Sequence, residues 1–239
     1  MTSKLPRPKL PTVPGVSRRQ QYSASTRRAL VVAAEDLFTV GGYASTSLDA
    51  IVSAARVTKG ALYHHYSGKQ ALFEAVFQDV EVRATERIRA AIRGASDPWE
   101  RAIEALRAFL DVVQEPSYRR VVVQEGPAIL GYERFREQEE RSTYGVVTEL
   151  VRDVLDAGPF DLDEEMVETF SRILFGAMSA AGESVSDSDD PQSASERVEA
   201  AIGLVLAGLR SLGTETATPG TDPGAADTGA AGRDGVTGS

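Results

Sequence analysis

Residues 46–73 read TSLDAIVSAARVTKGALYHHYSGKQALF. Thr46 is placed to cap a short helix carrying Leu48, Ile51 and Val52, and Thr58 a second one carrying Leu62, because a hydroxyl oxygen accepts from the free N–H groups of a first turn. Helices this short are not stable alone. They are joined by Ala55-Arg56-Val57, the length of the tight turn in a helix-turn-helix. The second helix opens with Thr58-Lys59-Gly60-Ala61, small or basic throughout, so its backbone and free N–H groups can approach an anionic surface. Tyr63 and His64 follow as long donors. Ser67 and Gln70 have capping-box spacing for a longer helix. Lys69, in its first turn, opposes the macrodipole, and a phosphate contact would account for it.

The charge is distributed to match. Residues 1–70 hold ten Lys and Arg against Glu35, Asp36 and Asp49, a net +7, which leaves −16 for the rest of a chain whose total is −9. A basic head on an acidic body points to a polyanion partner. The chain has no cysteine, which removes disulfides, thiolate metal sites and thiol nucleophiles. No apolar run of membrane-spanning length is present and the start of the chain is charged and Pro-rich rather than apolar, so a cytoplasmic protein is expected, with no membrane association.

The apolar period is helical throughout. Leu30, Ala33, Ala34, Leu37 and Phe38 line a first helix that ends at Gly41-Gly42. The fourth, long helix carries Leu72, Phe73, Val76, Phe77, Val80, Ile88 and Ile92 on one face as far as Gly94. Asp97-Pro98 opens a fifth helix, which Pro116 ends. Gly126-Pro127 interrupts the apolar segment 118–130, so a short sixth helix is expected, with a break before the next one begins near Gly131. A seventh helix runs to Gly158-Pro159, Asp161 with Glu164 opens an eighth, and Asp190-Pro191 leads into a ninth. The organisation expected is a disordered basic arm over residues 1–22, a helix-turn-helix domain over 23–70, a helical effector-binding and dimerisation domain over 71–212, and a disordered tail over 213–239. The fold class is all-α.

The order Gly41-Gly42-Tyr43, Thr46-Ser47, residues 54–58, residues 59–66 and Ser67-Gly68-Lys69 resembles the signature of the TetR family of transcriptional regulators. Residues 119–155 also resemble the C-terminal domain of a subgroup. The resemblance implies DNA contacts by Thr46, Ser47, Thr58, Lys59, Gly60, Tyr63, His64 and Lys69. It further implies a homodimer on an inverted-repeat DNA operator, and an internal pocket for a small-molecule effector that releases a repressor. Arg56 stands where the family often has Gly, so strain is expected if its φ is positive.

For the pocket, the aromatics Trp99, Phe109, Tyr132, Phe135 and Phe175 and the polar Gln124 and Glu125 beside the Gly-Pro break are candidates, although aromatics at helical spacing equally serve a core. For the dimer, the eighth and ninth helices offer Phe170, Ile173, Leu174, Ala177, Ile202, Val205, Leu206 and Leu209. Adjacent His64 and His65 point about 100° apart on a helix and have no third ligand at useful spacing, so no metal is expected, and no cofactor. An all-helical enzyme is the rival reading. It lacks a nucleophile elbow, P-loop, dinucleotide fingerprint or zinc-protease motif, and both histidines lie in the proposed recognition helix. A purely protein-binding adaptor would leave the +7 end without a purpose.

Overall fold

The computed structural model describes residues 18–160 and 162–215. Helix α1, Arg18–Ser45, is bent at Gly42, whose φ of 77° breaks the helical run. Residues 18–22, which the sequence places in the arm, are therefore helical, while residues 1–17 and 216–239 lie outside the described residues. Helices α2, Leu48–Ala54, and α3, Lys59–His65, follow. The turn between them holds Arg56 at φ 55°, the one non-glycine residue with positive φ among the described residues. That is the strain its sequence position suggests.

Helix α4, Lys69–Ala91, continues through a 3-10 turn at Ile92–Gly94. It packs on α1 at one end and on α5, Pro98–Val113, further along. Asp97 caps α5 through the Trp99 N–H. Next, Tyr118–Glu125 forms a wider π-helical turn that runs directly into α6, Gly126–Leu130. The break expected before the next helix falls at Gly131, with φ 79°, while Gly126-Pro127 opens α6, because Pro127 sits in its first turn where the missing N–H costs nothing. Helix α7, Tyr132–Asp156, packs on α4, α5 and α8, Glu164–Ser186. Helix α9, Pro191–Glu215, lies on α5 and α8. No strand occurs among the described residues.

Three caps differ from the sequence expectation. Ser47, not Thr46, caps α2 by accepting from Ala50 N–H at 3.1 Å. Gly68 occupies the cap of α4, with no side-chain cap bond, and Gln70 instead donates to the Ile129 carbonyl. Asp163 caps α8 through the Met166 N–H, while Asp161 lies outside the described residues.

One apolar core runs from Leu30 and Phe38 in α1 through Ile51, Leu62, Leu72, Phe73 and Phe77 to Phe109, Val113, Val121 and Val146. The three-helix head is therefore continuous with the larger helical body, and α4 is the shared element. On α8 and α9 the residues expected to form one dimer face are divided. Phe170, Leu174, Ile202, Leu206 and Leu209 turn inward to a cavity. Ile173, Ala177 and Val205 are exposed. The eighth and ninth helices thus carry two apolar faces each, one residue apart in register.

Candidate nucleic-acid interface and effector cavity

The head presents α3 to solvent. Leu62 is its only core residue, and Tyr66 closes the C-terminal end under Arg27, whose Nε donates to the Tyr66 hydroxyl at 3.3 Å. Thr58 caps the helix through the Ala61 N–H at 3.2 Å. Ser47, Thr58, Lys59, Gly60, Tyr63 and His64 are all exposed, and a Cβ added at Gly60 would meet nothing closer than 3.9 Å. Tyr63 leaves 59% of its surface in water although it is a large aromatic. Lys59 rests on Asp49 at 2.6 Å, a bond that raises its pKa. Such an exposed pair is weak enough to give way to a phosphate. His65 is half-buried, and burial first, then the neighbouring charges of His64 and Arg27, lower its pKa.

Thr46 and Lys69 are engaged by groups of the head itself. Thr46 is buried, and its hydroxyl reaches the Gly42 carbonyl at 2.8 Å and the Leu37 carbonyl at 3.2 Å. The Lys69 ammonium donates to the carbonyls of Tyr43 at 2.7 Å and Thr46 at 2.9 Å and stands 4.2 Å from the Tyr43 ring centroid. It satisfies the carbonyl end of α1, and the cation that looks misplaced on α4 belongs to the negative end of another helix.

The second site is a cavity of about 370 Å³ between α5, the π-helical turn, α7, α8 and α9, to which α4 contributes Ile88. Phe109, Tyr132, Phe135 and Phe175 line it, as the sequence suggests. Trp99 does not: it lies at the start of α5, away from the cavity wall. Gln124 and Glu125 are not in its lining either, and border a neighbouring cleft with Arg120, Asp187 and Glu183, the last of which also lines the cavity. Glu125 joins head to body. Its Oε2 accepts from the Tyr43 N–H at 2.9 Å, and its Oε1 pairs with Arg120 at 3.1 Å. A Cβ at Gly42 would come within 2.7 Å of the same Oε1 and run into the Arg120 guanidinium.

Three residues that sequence reasoning misses are Arg120, Arg136 and Glu81. Arg136 lines the cavity. Glu81 is buried on the inner face of α4. A signal for it exists: Phe77, Glu81, Ala84 and Ile88 share one helical face, so an acid occupies a core position.

Comparison with known proteins agrees with this arrangement. The family model described as "Bacterial regulatory proteins, tetR family" matches residues 30–76, and that described as "Tetracyclin repressor-like, C-terminal domain" matches residues 99–209. The chain belongs to the TetR family. A solved TetR-family transcriptional regulator from Pectobacterium atrosepticum superposes with a TM-score of 0.69 at 27% identity, over 81% of this chain and 97% of that one. The HTH-type transcriptional activator FasR of Mycolicibacterium smegmatis is 34% identical over 38% of this chain and 42% of its own length. The HTH-type transcriptional regulator UidR of Escherichia coli is 35% identical over 31% of this chain and 38% of its own. The chain thus spans less than half the length of either curated relative. As a TetR-family member it is a DNA-binding helix-turn-helix regulator of transcription and not an enzyme. No helix among the described residues is long and apolar enough to cross a membrane.

Proposed function

We propose that this TetR-family regulator is a cytoplasmic homodimeric repressor that occupies an inverted-repeat operator through α3 and leaves it when a small, largely apolar effector enters the cavity. The observation that supports this most is the placement of α4. It begins directly after α3 and the short turn that closes it, and its inner face reaches the cavity wall through Ile88. A tilt of α4 would move the reading face, and the Gly42–Glu125–Arg120 joint gives the body a second hold on α1.

The dimer is supported by the outward faces of α8 and α9. Ile173 is 62% exposed, Leu204 76% and Val205 56%, with Gly176, Gly203 and Gly208 open to close approach. A large exposed apolar face of this kind marks an interface, and two copies of two helices give a four-helix contact. Its two-fold axis passes into the DNA, so the half-sites stand about one helical turn, roughly 34 Å, or somewhat more apart. Where that operator overlaps a promoter, the bound dimer represses.

Footprinting on DNA flanking the protein's own gene tests this. The expected result is two symmetric protected half-sites at saturating dimer, with affinity falling steeply with salt. A single asymmetric footprint, or retention indifferent to sequence and salt, overturns it. Effector coupling is on the order of 1–3 kcal/mol, about 5- to 150-fold in operator affinity, and operator must weaken effector binding by the same factor.

A further inference from the structure

The cavity wall contains a polar cluster that DNA contact does not use. Glu81 is only 3% exposed. Its Oε2 accepts from the hydroxyls of Ser142 and, at 3.2 Å, Thr143, and the Tyr118 hydroxyl also bonds the carboxyl. These partners come from α7 and the π-helical turn, and both Thr143 and Tyr118 also line the cavity. A buried carboxyl is costly to keep unless several donors satisfy it. Here two of the three donors, Thr143 and Tyr118, belong to residues that line the ligand space.

That arrangement fixes what the wall offers. The Thr143 and Tyr118 hydrogens are committed to Glu81, so these hydroxyls show the cavity oxygen lone pairs, which accept but do not donate. A carboxylate, an ether or a bare hydrocarbon has no hydrogen to give them. An alcohol or phenol donates into the hydroxyl oxygen and extends a chain that runs on to Glu81, each bond polarising the next. The rest of the lining is mostly apolar, including Leu106, Phe109, Val146 and Leu150, with Arg136, Ser179 and Glu183 among its other polar side chains.

We propose that Tyr118, Thr143 and Glu81 form the polar subsite of the cavity, which selects a mostly apolar molecule bearing one neutral hydrogen-bond donor, an alcohol or a phenol. Glu81 acts as a positioning residue that sets the direction of the two hydroxyls. The inference rests on the effector reading above and adds the class of ligand.

The test uses the full chain and calorimetry with three matched probes: para-butylphenol, para-butylanisole and para-butylbenzoate. The phenol binds about five- to tenfold tighter than the other two, the worth of roughly one neutral hydrogen bond. Thr143→Val and Tyr118→Phe, checked for folding by circular dichroism, lower the phenol's affinity toward that of the anisole and leave the anisole unchanged. Glu81→Leu removes the acceptor beneath the hydroxyls, so their hydrogens turn to the cavity. The anisole, an acceptor, then binds as well as the phenol or better. A merely structural role for Glu81 would weaken all three probes alike.

Equal binding of phenol and anisole to the unmodified protein overturns the subsite. So does a preference for the benzoate that Arg136→Met abolishes, which would put the polar end of the ligand at Arg136. Absence of binding by all three probes overturns the subsite and the effector reading together. Phenol preference in a protein that does not bind operator DNA overturns the regulator reading and leaves the subsite standing.

Discussion

Lys69→Ala separates two accounts of one cation. In the structure its ammonium holds the Tyr43 and Thr46 carbonyls at 2.7 and 2.9 Å and lies over the Tyr43 ring. A hydrogen bond to a charged group contributes about 1.5–3 kcal/mol. Two such bonds in a half-buried site, where water can partly replace the ammonium, make the cost of the substitution about 2–4 kcal/mol. For a chain of this size each kcal/mol lowers Tm by about 2–4 °C, so the variant melts roughly 4–16 °C lower. Thermal and urea denaturation followed by circular dichroism measures this. Below its melting range the variant keeps the wild-type salt dependence of DNA binding if the ammonium stays on these carbonyls in the DNA-bound protein. Lys59→Ala behaves oppositely, with unchanged stability and a salt slope flattened by about one for each phosphate the lysine neutralises. If Lys69→Ala melted like the wild type and flattened the salt slope, the ammonium would belong on the DNA and the stapling role would be wrong.

Gly42→Ala forces an L side chain into φ 77° and against Arg120 and Glu125. It should cost at least about 1–2 kcal/mol in urea unfolding, and an unchanged midpoint would show that the joint is loose. Burial raises the Glu81 pKa above its ordinary 4.5, so the folded chain holds this proton more tightly than the unfolded chain. Stability from this group is therefore lost as pH rises from that ordinary value through the folded one. The stability of the wild type relative to Glu81→Gln should fall across that window and level off above it, and a rise with pH would contradict the assignment. Ile173→Asp and Val205→Asp should give monomers in sedimentation with folding retained, whereas Phe170→Asp should lower stability through the cavity wall. Persistence of the dimer in both outward variants would place the interface elsewhere.

The head is legible in the sequence because its signals are local. Thr58 one residue before α3 and a short turn before that leave few arrangements for residues 46–66, and Arg56 shows its strain where the turn needs a left-handed residue. What misleads is the meaning of single polar groups. Lys69 is anomalous on its own helix, but sequence spacing does not reveal that the carbonyl end of α1 folds back onto it. Of Thr46 and Ser47 either can cap α2, and the choice follows from Thr46 turning inward to Gly42 and Leu37. In the body, α8 and α9 are apolar on two sides. Leu174 and Ile173 differ by one position, about 100° around the helix, and periodicity does not say which side meets the cavity and which meets solvent. Trp99 is expected in the cavity because it follows the long helix, yet its place as the second residue of α5 keeps it out. Glu81 is readable as an acid in a core register, but its hydroxyl partners on α7 lie far along the sequence, at Ser142 and Thr143.

The claim that the exposed face of α3 reads DNA meets its most direct test in Tyr63→Ala, assayed against every single-base variant of the footprinted half-site by fluorescence anisotropy at fixed salt. Tyr63 is 59% exposed and takes no part in the buried core, so the variant stays folded. The account predicts that discrimination collapses at one or two adjacent base positions, by about 1–3 kcal/mol, while the salt slope and the preference at other positions persist. An unchanged preference at every position would take the reading face away from α3.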